Sequence, residues 1–224
     1  MKNVTGKALT AYIALATVAG ACGLARAQDA APIGTEVSDF TLGIGYANIS
    51  IGDSNSLLHS EDALRFDAAV SFAPFPELPQ LRLGGGFGVA MVLDNTRRTI
   101  ISDDGIVYIG SSDVPLLLLE PELRLSWRQY IGDTGEFFVE PGVGVGGVFA
   151  NLSIDADDTG TDESFDEWES AVTARAFVNV GFEVTGGMAG FQASYMRGGD
   201  LNFAENAGGD IDEFYLGIFG ALRF

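Results

Sequence analysis

Apolar residues alternate with small or polar ones, at a period of two, in eight separate stretches of this chain. That periodicity is the signature of a β-strand with two different faces. The last stretch shows it plainly. Phe214, Leu216, Ile218, Leu222 and Phe224 share one face, broken only by Gly220, while Tyr215, Gly217, Phe219, Ala221 and Arg223 share the other. In 39–50, Phe40, Leu42, Ile44 and Tyr46 alternate with Thr41, Gly43, Gly45 and Ala47. Stretches 63–73, 81–93, 115–128, 137–150, 171–184 and 189–197 behave alike. Beyond residue 27 no apolar run approaches the ~18–20 residues of a membrane helix, and the longest is about 114–119. The fold class is all-β.

The connections alternate as well. Those near 74–80, 129–135 and 185–188 are short, and those near 51–62, 94–113, 151–169 and 198–212 are long and polar or acidic. An even strand count with short turns at one end and long loops at the other is the pattern of a barrel spanning a bacterial outer membrane. A soluble β-sandwich alternates too, but it turns its apolar face inward. Here the apolar face is expected to run continuously through every strand, with charge at mid-strand on the opposite face. The apolar set must then meet lipid and the charged set must lie inside. The expectation is a closed antiparallel transmembrane β-barrel of about eight strands over 38–224.

The start of the chain reads as a cleaved signal peptide over 1–27. Lys2 and Lys7 precede an uncharged stretch, and Ala25-Arg26-Ala27 forms an A-x-A site before Gln28. Residues 28–37 are expected to be a short periplasmic segment. Ala19-Gly20-Ala21-Cys22 is a poor lipoprotein signal, so Cys22 is expected to leave with the leader. What remains has no cysteine and no lysine, and sets nine arginines against 31 acidic residues. That balance opposes nucleic-acid binding, which needs clustered basic groups. It favours attraction of cations.

The terminal aromatic, with apolar residues at alternate positions before it, resembles the C-terminal insertion signal of outer-membrane barrels. Phe214, Leu216, Ile218, Leu222 and Phe224 carry that likeness, and Gly220 departs from it. The whole stretch beyond the leader resembles the small eight-stranded barrels of the OmpA/OmpX-like type. The resemblance implies a Gram-negative outer membrane, with lipid and lipopolysaccharide as surroundings and the barrel-assembly machinery as a partner.

The inward faces are unequal. Odd strands present mostly Gly, Ala, Ser and Thr. Even strands present long side chains that can lie over those glycines. Arg65, Arg82, Arg124, Arg128, Arg175 and Arg223 face Asp67, Glu120, Glu122, Glu140 and Glu183. Unpaired charge inside would be costly, so a hydrogen-bonded network that plugs the barrel is expected. The steps Glu120-Pro121 and Glu140-Pro141 each remove a ladder hydrogen bond, which suggests bulges.

Three loop features could carry chemistry. His59-Ser60-Glu61 offers a histidine, a hydroxyl and an acid, but consecutive loop residues point apart, so no catalytic site is expected. Asp155, Asp157, Thr159, Asp162 and Asp166 in the third long loop place oxygens at spacings like those of a calcium loop. Without flanking helices or a closing Glu, at most weak Ca²⁺ binding is expected there, and no other cofactor. Asp104-Gly105 signals a hairpin in the second loop, and Arg97 and Arg98 could meet lipopolysaccharide phosphates.

The functional expectation is a non-enzymatic outer-membrane protein with a plugged interior and acidic loops, serving a structural or surface-interaction role with no ligand named by the residues. A small gated channel and, behind it, a lipid-modifying enzyme are the alternatives. Deleting Phe224, or replacing Leu222 and Phe224 with charged residues, should sharply reduce heat-modifiable folded barrel on a gel. Undiminished folding would show that the terminus does not drive insertion.

Overall fold

The computed structural model describes residues 38–52, 56–92, 98–101, 107–111, 116–132, 136–156, 165–203 and 207–224. The leader and N-terminal segment expected over 1–37 lie outside these. The strands are β1 (Ser38–Ile51), β2 (Glu61–Phe72), β3 (Leu81–Val92), β4 (Arg98–Ile101), β5 (Val107–Ser111), β6 (Leu116–Trp127), β7 (Gln129–Ile131), β8 (Phe137–Ala156), β9 (Phe165–Val184), β10 (Gly187–Leu201) and β11 (Gly209–Arg223). Eight of them form a closed antiparallel meander in the order β1-β2-β3-β6-β8-β9-β10-β11, and β11 returns to β1. Closure is complete to the last residue. The Ser38 N–H donates to the Phe224 carbonyl at 3.1 Å, and the Phe224 N–H donates to the Ser38 carbonyl at 3.0 Å.

Short connections follow local chemistry. Thr185 and Gly186 alone join β9 to β10, and Gly186 takes a φ of 79°, which glycine adopts without steric cost. Strand β7 prolongs β6 along β8 after a break at Arg128, whose N–H turns to the Gln80 carbonyl at 2.7 Å. Strands β4 and β5 make the second-loop hairpin, with Ile101 opposite Val107, and β5 then pairs with the far end of β8.

The two Glu-Pro steps produce no bulge. Leu119 pairs with Phe149 and Glu122 with Gly146, so the β6–β8 register passes Pro121 unshifted. Pro141 pairs with Val178 inside an equally regular ladder. Both prolines sit at outward positions. The ladder leaves Glu120 and Pro121 unbridged instead of slipping. The described register shift lies elsewhere, between Arg197 and Asp200 of β10.

The outward face of the membrane-spanning part is apolar and exposed, as at Leu123 (70%) and Val172 (75%). Exposed aromatics mark its two ends. Phe72, Trp127, Phe137, Phe182 and Phe224 lie toward the short turns; Tyr46, Phe149, Tyr195 and Phe214 lie toward the long loops. Such paired girdles flank the apolar band of a membrane barrel.

The apolar face does not continue through every strand, and here the sequence expectation fails. Past Tyr46 the faces exchange: Ala47, Ile49 and Ile51 are buried inside, while Asn48 and Ser50 turn outward. In the same region, Leu116 and Leu118 of β6 and Ala150, Leu152 and Ile154 of β8 also point inward. The cause is the surrounding medium. Beside hydrocarbon the apolar residues belong outside; beside water they belong inside. The strands therefore outlast the bilayer and consume much of the expected loops, with β8 reaching Ala156, β9 starting at Phe165 and β11 at Gly209.

Leu123→Arg, at mid-belt, should destabilise the barrel by about 2–4 kcal/mol. Asp200→Arg, above the belt, should stay within about 0.5 kcal/mol. Denaturant titration of barrel folded in lipid vesicles measures both, and equal costs would contradict the belt.

Candidate functional site: the sealed barrel interior

The small residues of β1, β3, β8 and β10 form a floor for the long ones of β2, β6, β9 and β11. A Cβ on Gly88 would lie 2.3 Å from Nη2 of Arg65, and one on Gly142 would lie 2.3 Å from the Phe177 ring. Neither position tolerates a side chain while its neighbour stays in place. The arginines also stack on rings. The Arg65 guanidinium sits 5.4 Å from the Tyr215 ring centre, Arg124 5.5 Å from Phe177 and Arg128 5.1 Å from Phe138.

The inward charges fall into two clusters. The first lies toward the short turns and centres on Asp39, which is fully buried. Its carboxylate accepts from Arg82 at 2.6 Å, from Arg128 at 2.7 Å and from Nε of Arg223 at 3.3 Å. Arg128 also donates to Glu140 at 2.6 Å, as does the Ser126 hydroxyl at 2.7 Å. Arg223 donates to Glu183 at 2.7 Å, and the Tyr130 hydroxyl donates to the same oxygen at 2.5 Å. Three guanidiniums thus meet three carboxylates.

The second cluster lies at mid-barrel. Nη1 of Arg65 donates to Glu120 and to both oxygens of Glu213, at 2.9 and 3.0 Å. Arg175 donates to the same oxygen of Glu120, to Glu213 at 2.9 Å, to Glu122 at 3.0 Å and to the Ser194 hydroxyl at 3.0 Å. Arg124 bridges Glu122 and Asp67, reaching the two Asp67 oxygens at 2.7 and 2.8 Å. A cavity of about 30 Å³, lined partly by Arg82, Arg124, Ser126, Asn179 and Gln192, lies between the clusters. That is room for one or two waters.

Above the charges the interior is dry. Ile49, Ile51, Leu118, Leu152, Ile154 and Ile211 are each fully buried there, and Leu58 from the first loop reaches into the same cluster. Each such side chain contributes about 1.5–3 kcal/mol of burial. The interior is therefore closed by two layers of opposite chemistry.

All eleven charged residues that the sequence pattern placed inside belong to the two clusters. Asp39 and Glu213 were missed, although each binds at least two arginines. Both sit at the edge of an alternating stretch, where a strand was hard to tell from a loop. Their parity was the available signal: Asp39 falls in step with Thr41 and Gly43, and Glu213 with Tyr215. The apolar cap was missed for the same reason.

The remaining candidates are scattered. Phe214, Leu216, Ile218 and Phe224 are exposed on the lipid face, with Leu222 half-buried beside them. Nδ1 of His59 meets the Ser50 hydroxyl at 2.8 Å, not Ser60 or Glu61. Ser60 instead adopts a φ of 64° and accepts from Asn48 at 3.3 Å. Asp157, Thr159 and Asp162 lie outside the described residues, as does Arg97. Asp155 pairs with Ser111 one residue before the end of β8, and Asp166 accepts from Asn151 at 2.6 Å. Among the described residues no group of three or more His, Cys, Asp or Glu is placed to hold a metal.

No protein-family model matches the chain, and no curated protein sequence matches it. Among solved structures it is similar to Neisserial surface protein A, at 13% identity and a TM-score of 0.53, over 84% of this chain and 97% of that one. It is also similar to Ail, the attachment invasion locus protein of Yersinia pestis, at 14% identity and a TM-score of 0.45, over 84% of this chain and 99% of that one. A third is the outer membrane protein OprG from Pseudomonas aeruginosa, at 12% identity and a TM-score of 0.42, over 87% and 99%. The likeness to Neisserial surface protein A shows a fold, that of the small outer-membrane β-barrels. The girdled apolar exterior agrees, and the protein is an integral outer-membrane barrel of the Gram-negative type.

Removing one partner from a buried ionic cluster leaves uncompensated charge and costs about 3–5 kcal/mol. Asp39→Asn should show a loss of that size by denaturant titration. Arg197→Ala, which breaks an exposed pair with Asp210, should leave the unfolding midpoint nearly unchanged. A mild Asp39→Asn would show that the first cluster does not hold the barrel together.

Proposed function

We propose that this protein is a non-enzymatic, non-conducting outer-membrane barrel that serves as a structural element or as an anchor for surface interaction. One observation carries the reading: the interior is blocked first by paired charge and then by a dry apolar core. Eight strands leave an interior that side chains can fill, and here they fill it. An ion on the axis would have to break the arginine clusters and then cross the buried layer of Ile49, Leu118, Leu152 and Ile211. On this reading, 1–27 exports the chain, the assembly machinery inserts it by its terminal strand, and lipopolysaccharide surrounds the outer girdle. The acidic third loop would meet divalent cations only weakly.

Planar-bilayer recording on refolded barrel should give no stable single-channel conductance on the scale of a porin. A stable open level would overturn the reading in favour of a channel.

A further inference from the structure

The first cluster balances, with Asp39, Glu140 and Glu183 against Arg82, Arg128 and Arg223. The mid-barrel cluster does not. It sets Asp67, Glu120, Glu122 and Glu213 against only Arg65, Arg124 and Arg175. The surrounding strands bring no further cation. At this level β1 presents Gly43, Gly45 and Ala47; β3 presents Gly86, Gly88 and Ala90; β8 presents Gly144, Gly146 and Val148; β10 presents Ser194 and Met196. The remaining charges are those of β2 (Arg65, Asp67), β6 (Glu120, Glu122, Arg124), β9 (Arg175) and β11 (Glu213), with the neutral phenol of Tyr215 beside them. An uncompensated charge in such surroundings is strongly disfavoured, and two carboxylates on one site resolve it by keeping a proton.

The geometry says where. Glu120 and Glu213 come from opposite walls yet bind the same two guanidiniums, Arg65 and Arg175. Both are fully buried or within 2% of it. Nη1 of Arg65 donates to both, which sets the two carboxyl groups side by side, and Oε1 of Glu120 is buried without a hydrogen-bond partner. Asp67 and Glu122, in contrast, each have an Arg124 contact of their own.

We propose that Glu120 and Glu213 share one proton, so that the mid-barrel cluster is neutral when folded. The pair then titrates as a unit, and the proton belongs to neither residue alone. The folded chain binds one more proton than the unfolded chain wherever a free glutamate would be ionised. Stability must therefore fall as pH rises through the range where the pair loses that proton.

Infrared spectroscopy of barrel folded in lipid, with and without ¹³C-labelled glutamate, tests this on the unaltered protein. A carboxylic-acid C=O band that persists at neutral pH and shifts with the label is expected. Glu213→Gln and Glu120→Gln should each abolish it, because either amide replaces the protonated partner. Glu213→Gln should also flatten the fall of the unfolding midpoint as pH rises above the ordinary glutamate range. No acid band in the wild-type barrel at neutral pH overturns the proposal, whether a bound cation or nothing compensates the charge. A band that survives both substitutions overturns it too, since the proton would then lie elsewhere. If one variant does not fold, the wild-type spectrum and the other variant still decide.

Discussion

A peptide group left unpaired in hydrocarbon costs several kcal/mol, so a sheet can cross a bilayer only if it has no edge. Here that requirement falls on the pairing of β1 with β11. Their ladder runs from Asp39 opposite Arg223 to Ile51 opposite Ile211, and the two ends of the described chain are tied by reciprocal hydrogen bonds. Everything else follows from the closed ring. Closure fixes which residues face in, and it brings sequence-distant groups to one point. Asp39 and Arg223 are 184 positions apart and share a cluster because the first and last strands are neighbours.

Within the ring, period two leaves little freedom. Each strand spends its large apolar residues on lipid, so the inward set must come from what remains. Small residues on one strand admit long ones from the next, and the long ones are charged. Arginine suits this role because its planar fork can serve several carboxylates at once. Arg175 reaches three. A buried ion cluster is weak evidence of net stability, since apolar replacements of equal volume often do as well. Its clearer effect is geometric. Arg65 meets its partners only if β2, β6 and β11 keep their register, so the network penalises any slip.

The strand count, the closed topology and the direction of the mid-strand residues could be read from the sequence because alternation is a local pattern. The ends of the strands could not. Asp210 and Asp212 look like loop residues when a polar run is taken to mean a connection. In the structure they are outward positions of strand β11 standing in water. Glu213 was lost with them, although it is one of the most buried charges in the molecule. The Glu-Pro steps misled for another reason. A missing ladder hydrogen bond suggests a bulge, whereas the pairs on either side of Pro121 hold the register across the gap.

The exchange of faces near Tyr46 is itself a measure of where the bilayer ends. A strand cannot change its period, so the switch from apolar-out to apolar-in must occur where the medium changes. On β1 it falls between Tyr46 and Asn48, and on β8 beyond Phe149, where Asn151 and Ser153 take the outward positions. Both points coincide with the upper row of exposed aromatics. Two independent features thus locate one boundary. The boundary explains why the plug has two chemistries. Below it lipid has claimed most of the apolar residues, and the inside holds the charged clusters with Phe138, Phe177 and Phe219 packed among them. Above it water claims the polar ones, and the interior becomes the core of an ordinary soluble barrel that happens to stand on a membrane.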